Sequence, residues 1–175
     1  MLQESIRERS SHMANAIFNK EAIAEVSQKM VEDLKEQAVK EPLRRFRFCM
    51  HYSVEDEVQE SVIVFCRDTY IRPHRHRDDK AESYHIVSGA MKVLFFDDSG
   101  KVIRTMEMGE PGSGKTFFYR LSATMWHMPI PSSEYVVFHE TSVGPFRKDE
   151  SIEFAPWSPE KSDIKGISEF IKKYT

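Results

Sequence analysis

Cysteine is scarce in this chain. Only Cys49 and Cys66 occur among 175 residues, too few for the disulfide framework of a small secreted domain. Both stand in apolar, strand-like runs, so they read as buried reduced thiols. No apolar run reaches the roughly 18 residues of a membrane helix. The first residues include Glu4, Arg7, Glu8 and Arg9 rather than the apolar centre of a secretory signal. The cytoplasm is the expected location by default. Charge of one sign is also lacking, since 25 basic against 28 acidic side chains leave a formal net charge of -3. That gives no general pull toward nucleic acid or an anionic membrane, and neither is expected as a partner.

What is present is ordinary globular composition, 40% hydrophobic and 30% charged, at a length that suits one domain with its own core. Residues 1–16 are expected to be disordered. A helical segment is expected over 17–42, with Asn19 as its cap and Ala22, Ile23, Val26, Met30 and Leu34 recurring at spacings of three and four before Pro42. The period then changes to two, as Phe46, Phe48, Met50 and Tyr52 alternate with Arg45, Arg47, Cys49 and His51. Strand-like runs follow near 60–67, 69–76, 82–97, 101–108, 116–122 and 134–142. Turn signals separate several of them at 97–100, 111–114 and Pro129/Pro131. Few helices stand between these runs, so a parallel sheet is disfavoured and a sandwich or barrel over 43–160 is expected. A short helix closes the chain over 161–175, on the pattern Ile164, Ile167, Phe170, Ile171.

The stretch Arg72-Pro73-His74-Arg75-His76 carries the chemistry. Residues i and i+2 of a strand share a face, so His74 and His76 can aim at one point. Glu82 follows a polar turn at the start of the next strand and can add an oxygen ligand from the neighbouring rung. Imidazole with carboxylate suits Fe, Mn, Co, Ni or Zn. His85 is the rival, but in an unbroken strand it faces away from Glu82. His127, between Trp126 and Met128, can join only if the fold returns to the first motif; alone, a histidine in apolar company is more often a hydrogen-bonded core residue. Tyr70 and Arg72 share strand parity with the two histidines and are expected to line the same pocket. An inward Arg72 either grips an anion or makes a structural ion pair. Glu140 is a supporting partner, a general base, or a surface residue at a strand end.

The spacing His74-x-His76-x5-Glu82-x6-Gly89 resembles the first cupin motif with one extra residue, and Trp126-His127 stands where the second motif has its histidine. A longer resemblance, from about Ile17 to Glu160, is to the WbuC-type cupin fold metalloproteins. It rests on the runs 69–76, 93–100, 144–146 and 154–159 together with Glu140. Asp68 stands where the family usually has glycine, and the second motif's usual glycine has no clear counterpart. The resemblance implies a single double-stranded β-helix, or jelly-roll, barrel. It also implies one divalent metal on His74, His76, Glu82 and His127, and a bacterial source. Members are associated with surface-polysaccharide gene clusters. The expected ligand is then a small anionic, sugar-like molecule, acted on by an isomerase, lyase or oxygenase or simply bound. The chain is expected to act alone or as a homodimer.

A competing signal is Gly109-x4-Gly114-Lys115-Thr116, which matches the phosphate-loop pattern of nucleotide-binding enzymes. Such a loop needs a buried strand before it and a helix after it. The preceding run carries Arg104 and Glu107, and Phe117-Phe118-Tyr119 favours a strand, so the loop is expected to be a hairpin turn.

Overall fold

The structure, a computed structural model, describes residues 15–77 and 80–174, and only the backbone of Lys148 and Asp149. Of the segment expected to be disordered, residues 1–14 lie outside the described residues. Ala16 opens the first strand.

Eleven strands form two sheets among the described residues. In chain order they are β1 (Ala16–Phe18), β2 (Arg45–Cys49), β3 (Val58–Cys66), β4 (His74–His76), β5 (Glu82–Ser88), β6 (Ala90–Phe96), β7 (Val102–Gly109), β8 (Phe118–Leu121), β9 (Trp126–Pro131), β10 (Tyr135–Val143) and β11 (Ile152–Phe154). One sheet runs β1-β2-β3-β10-β5-β8 and the other β11-β4-β9-β6-β7. Within them β3 pairs with β10, β4 with β9, β5 with β8 and β6 with β7, all antiparallel. The eight strands are thus one long antiparallel ribbon, folded at β6–β7 and wound so that successive rungs fall in opposite sheets. This is the jelly-roll topology of the cupins. The ribbon crosses between the sheets at Gly89, whose φ is +81° and where a Cβ would stand 2.2 Å from the Tyr135 carbonyl oxygen; only glycine fits there.

Among the described residues three helices accompany the barrel, α1 (Gln28–Lys40), α2 (Lys148–Ser151) and α3 (Ile164–Ile171). The first begins later than its apolar spacing predicts. Ser27 caps it, accepting from the Met30 amide. The Asn19 side chain instead closes a local turn, accepting from the Glu21 amide at 3.0 Å, and Ile23 is 77% exposed. Met30, Val31, Leu34 and Ala38 of α1 bury against Phe46 and Phe48 of β2, Val62 and Val64 of β3, and Val137 of β10. That packing decides which face of β2 points inward. Its phenylalanines serve the helix, so Arg45, Arg47 and Cys49 face the barrel interior.

Several expectations need correction. Pro129 and Pro131 do not mark a turn; they lie in β9, every residue of which is buried. This strand meets β4 only at His74↔His127, and beyond that point the edge facing β4 carries no ladder for a proline to break. The loop after Gly109 does not join a hairpin, because β7 and β8 lie in different sheets. It folds back locally through Gly109 N–H to the Thr116 carbonyl at 3.0 Å and Thr116 N–H to the Glu107 carbonyl at 3.2 Å. A strand follows it, so the amide cradle of a phosphate loop does not form. Trp157 lies over the outer face of the second sheet, on Phe96, Trp126 and Phe170. Ile164 of the closing helix is 74% exposed, while Phe170 is buried.

Both cysteines are buried and free, as expected. Among the described residues no helix is long and apolar enough to cross a membrane.

Candidate metal centre

The ladder pair His74↔His127 places one histidine from the early motif directly beside the late one. Their ring centroids are 4.3 Å apart, and His76 lies 5.6 Å from His74 and 5.5 Å from His127. One nitrogen from each ring falls within 4.8 Å of the others. Glu82 closes the group from the opposite sheet rather than from a neighbouring rung. Its carboxylate is 3.1 Å from His76 Nε2 and 3.0 Å from His127 Nε2. The Tyr119 hydroxyl donates to the same carboxylate at 3.3 Å. Glu82 is 1% exposed and His127 0%.

Two backbone carbonyls orient the imidazoles. His74 Nδ1 lies 2.9 Å from the Arg72 carbonyl, and His127 Nδ1 lies 3.0 Å from that of Met125. Each Nδ1–H donates outward, which leaves the Nε2 lone pair for the centre of the cluster. His127 Nε2 is buried and has no hydrogen-bond partner, despite the carboxylate oxygen 3.0 Å away. The two atoms are close without hydrogen-bond geometry, an arrangement that a shared cation satisfies. The residues therefore fit one divalent ion, held by imidazole nitrogen and carboxylate oxygen.

The electrostatics favour the ligating forms at two of the positions. Burial holds the His74 imidazole well below its ordinary value, with His127 adding to the effect, so it is neutral. For Glu82, burial alone would raise the carboxyl, but the charge of His127 and the hydrogen bond of His76 keep it well below the usual range. At His127 burial pulls the value down and Glu82 more than offsets it, so the net direction is upward. A cation at the centre competes with that proton.

An open cavity of about 140 Å³ adjoins the cluster. The sequence-predicted pocket residues divide there. Glu140 lines it, half-buried, and burial pushes its carboxyl upward, Arg47 opposing and Glu82 reinforcing the shift. Arg72 also lines it, but its guanidinium is engaged by the chain itself. It donates to Ser158 Oγ at 3.0 Å and to the Ala155 carbonyl at 3.2 Å, with Glu160 at 3.8 Å. The structural reading of Arg72 is therefore the one observed. Tyr70 does not line the cavity. Its ring joins the cluster under the C-terminal segment and its hydroxyl donates to the Pro159 carbonyl at 2.9 Å. The chain before His74 is not a strand, so the parity of β4 does not extend back to Tyr70. His85 is exposed against Phe117 and Phe118, away from Glu82, as strand parity predicts.

Sequence reasoning missed Arg45, Arg47 and His51, which line the same cavity. The signal was available in the alternation of β2. A strand whose aromatic face lies under a helix must send its polar face either to water or into a polar lumen.

A family model described as a domain of unknown function (DUF6016) matches residues 26–108. No curated protein matches the chain. Among solved structures, protein SO0799 from Shewanella oneidensis is similar at 10% identity and TM-score 0.48, over 57% of this chain and 63% of that one. An oxalate oxidase in complex with the substrate analogue glycolate is similar at 14% identity and TM-score 0.45, over 61% and 50%. The formate complex of Lactobacillus farciminis oxalate decarboxylase is similar at 16% identity and TM-score 0.44, over 57% and 27%. The chain thus spans less than two thirds of the length of each. None of these likenesses speaks to activity.

Proposed function

We propose that this chain is a metal-dependent cupin that holds one divalent ion through His74, His76, Glu82 and His127 and acts there on a small anionic molecule. The observation that carries the reading is the buried, unpartnered Nε2 of His127, set among two further imidazoles and 3.0 Å from an ionised carboxylate. Support for an anionic ligand comes from the cavity wall, which carries Arg45 and Arg47 on β2 beside the metal cluster. The WbuC-type resemblance adds a bacterial, sugar-derived acid as the ligand class, with an isomerase, lyase or oxygenase as the activity.

A bound ion would supply Lewis-acid polarisation of a ligand oxygen. The protein supplies the rest. Tyr119 fixes the Glu82 carboxylate, the Arg72 and Met125 carbonyls fix two imidazoles, and Glu140, its carboxyl raised by burial, is placed to hold or pass a proton. The test is metal content. Protein purified without added metal should carry close to one divalent ion per chain, and His74→Ala with His76→Ala should abolish this. Unchanged content in that double variant would refute the site.

A further inference from the structure

The metal cluster occupies one part of the cavity. The wall contributed by β2 carries a second group of polar side chains with no use inside the protein. Arg45 and Arg47 point inward because Phe46 and Phe48 pack under α1. Each guanidinium offers five N–H donors, yet neither makes a hydrogen bond or an ion pair with the described residues. Arg72 and Lys80 differ, being engaged by Ser158 and by the Pro145 carbonyl respectively. A cation held from water without a partner is costly, and these two half-buried arginines stand on one strand face. Burial, with Arg47 adding to it, pulls the Arg45 guanidinium down to about 10. The acid nearest in effect to Arg47 is Glu140, which lies opposite Ser61 on β10 and makes no ion pair with it.

His51 makes the same point independently. It is 8% exposed and lines the cavity. Its Nδ1 accepts the Glu60 amide at 3.0 Å, and the Glu60 carbonyl already accepts from the Met50 amide at 2.8 Å. That Nδ1 also lies 2.9 Å from the Glu60 carbonyl, so the backbone occupies one ring nitrogen, while Nε2 is buried without a partner. Two guanidinium forks and one unpartnered imidazole nitrogen therefore line one wall of the cavity.

We infer that Arg45, Arg47 and His51 form an oxyanion subsite that grips an acidic group of the ligand while another of its oxygens reaches the metal centre, so that the ligand is a small molecule with two acidic ends. This rests on the metal reading above for one end only. The two ends are separate places. From Glu82 on β5 the sheet passes through β10 and β3 to β2, three strand spacings or about 14 Å along the sheet, which the inward side chains shorten. That spacing favours a ligand with a second acidic group over a single carboxylate. The planar fork of arginine suits carboxylate and phosphate alike. The chemistry assigned is thus an oxyanion, and the experiment separates the two sources.

The experiment is calorimetric titration of the metal-loaded protein with succinate, glutarate, butyrate and inorganic phosphate, beside the Arg45→Gln/Arg47→Gln double variant. The wild type should bind one of the diacids at least tenfold more tightly than butyrate, and the double variant should lose that preference while keeping its metal stoichiometry. Phosphate displacing butyrate in the wild type, and not in the variant, would assign the second end to a phosphate and support the subsite. Because the variant removes two unpaired charges, it should melt no lower than the wild type, and Arg47→Lys, which keeps charge without the fork, should retain part of the preference. A double variant that binds diacid like the wild type overturns the inference, as does a wild type that does not distinguish diacid from butyrate. If the wild type holds no metal, the metal reading fails alone. The subsite is then read from phosphate and butyrate binding to the metal-free protein: loss on substitution of both arginines supports it, and no binding to the wild type overturns it.

Discussion

Removing the metal should lower the melting temperature without unfolding the protein. The ligands sit on strands with ladders of their own. Glu82 begins β5, which pairs with β10 and β8, and His127 lies on β9, which pairs with β6 over six positions. Three separate apolar clusters hold the barrel, the helix α1 and the C-terminal segment. Without an ion, the Glu82 carboxylate keeps its hydrogen bonds with His76 at 3.1 Å and Tyr119 at 3.3 Å. The ion therefore adds stability by linkage rather than supplying the fold. Free ion at one hundred times its Kd adds about 2.7 kcal/mol, and a chain of this size gains about 2–4 °C per kcal/mol, so the loaded protein should melt about 5–11 °C higher.

The sign of the pH dependence follows from the same residues. The His127 value is raised by Glu82, so in the metal-free protein its contribution is complete below the unfolded value of 6.5 and is lost as pH rises through the raised one. The Glu82 value is depressed, so its contribution is present above 4.5 and is lost as pH falls through the lowered value. Metal must displace the proton on His127, so its increment should grow with pH, being larger at about pH 8 than at about pH 6. Scanning calorimetry of chelated and reloaded protein at both values measures this. An increment that is absent for every one of Mn, Fe, Co, Ni and Zn, or that shrinks as pH rises, would refute the reasoning.

Three further outcomes are expected. His127→Ala should weaken metal binding by roughly 10- to 100-fold or more, whereas His85→Ala should leave it intact; titration of both variants decides, and the reverse result would mean the β5 register is wrong. Tyr70→Phe should cost about 1 kcal/mol through loss of the hydrogen bond to Pro159. Because burial pushes the Tyr70 phenol up to about 12 from 10, the wild type should lose stability as pH rises above 10, and the variant should lose less, as denaturant midpoints would show. Lys115→Ala should change no nucleotide affinity, since a strand follows its loop; magnesium-dependent ATP binding that vanishes in this variant would restore the phosphate-loop reading.

The parts of the molecule legible in the sequence were those fixed by local period. The two-residue alternation around His74 and His76 gave both the strand and the shared face, and parity separated Glu82 from His85. Features that depend on distant packing were not legible. Pro129 and Pro131 read as breakers because the sequence does not show that β4 ends beside His127 and leaves the rest of that edge without a ladder. Asn19 read as a cap because Ala22, Ile23 and Val26 continue the apolar spacing of α1, though no partner covers Ile23.

The arginines show the same limit with a functional consequence. Arg72 drew attention by its parity with the metal histidines, yet Ser158, 86 residues away, satisfies it. Arg45 and Arg47 looked like the solvent face of a strand, because alternation cannot say which side a helix will cover. Once α1 takes Phe46 and Phe48, the same alternation sends both arginines inward, where neither guanidinium makes a hydrogen bond or an ion pair with the described residues. An inward arginine with partners locks the C-terminal segment; one without them is a donor held for something else. The distinction is made by hydrogen bonding alone, and it moves the anion-binding end of the cavity from the segment before His74 to β2.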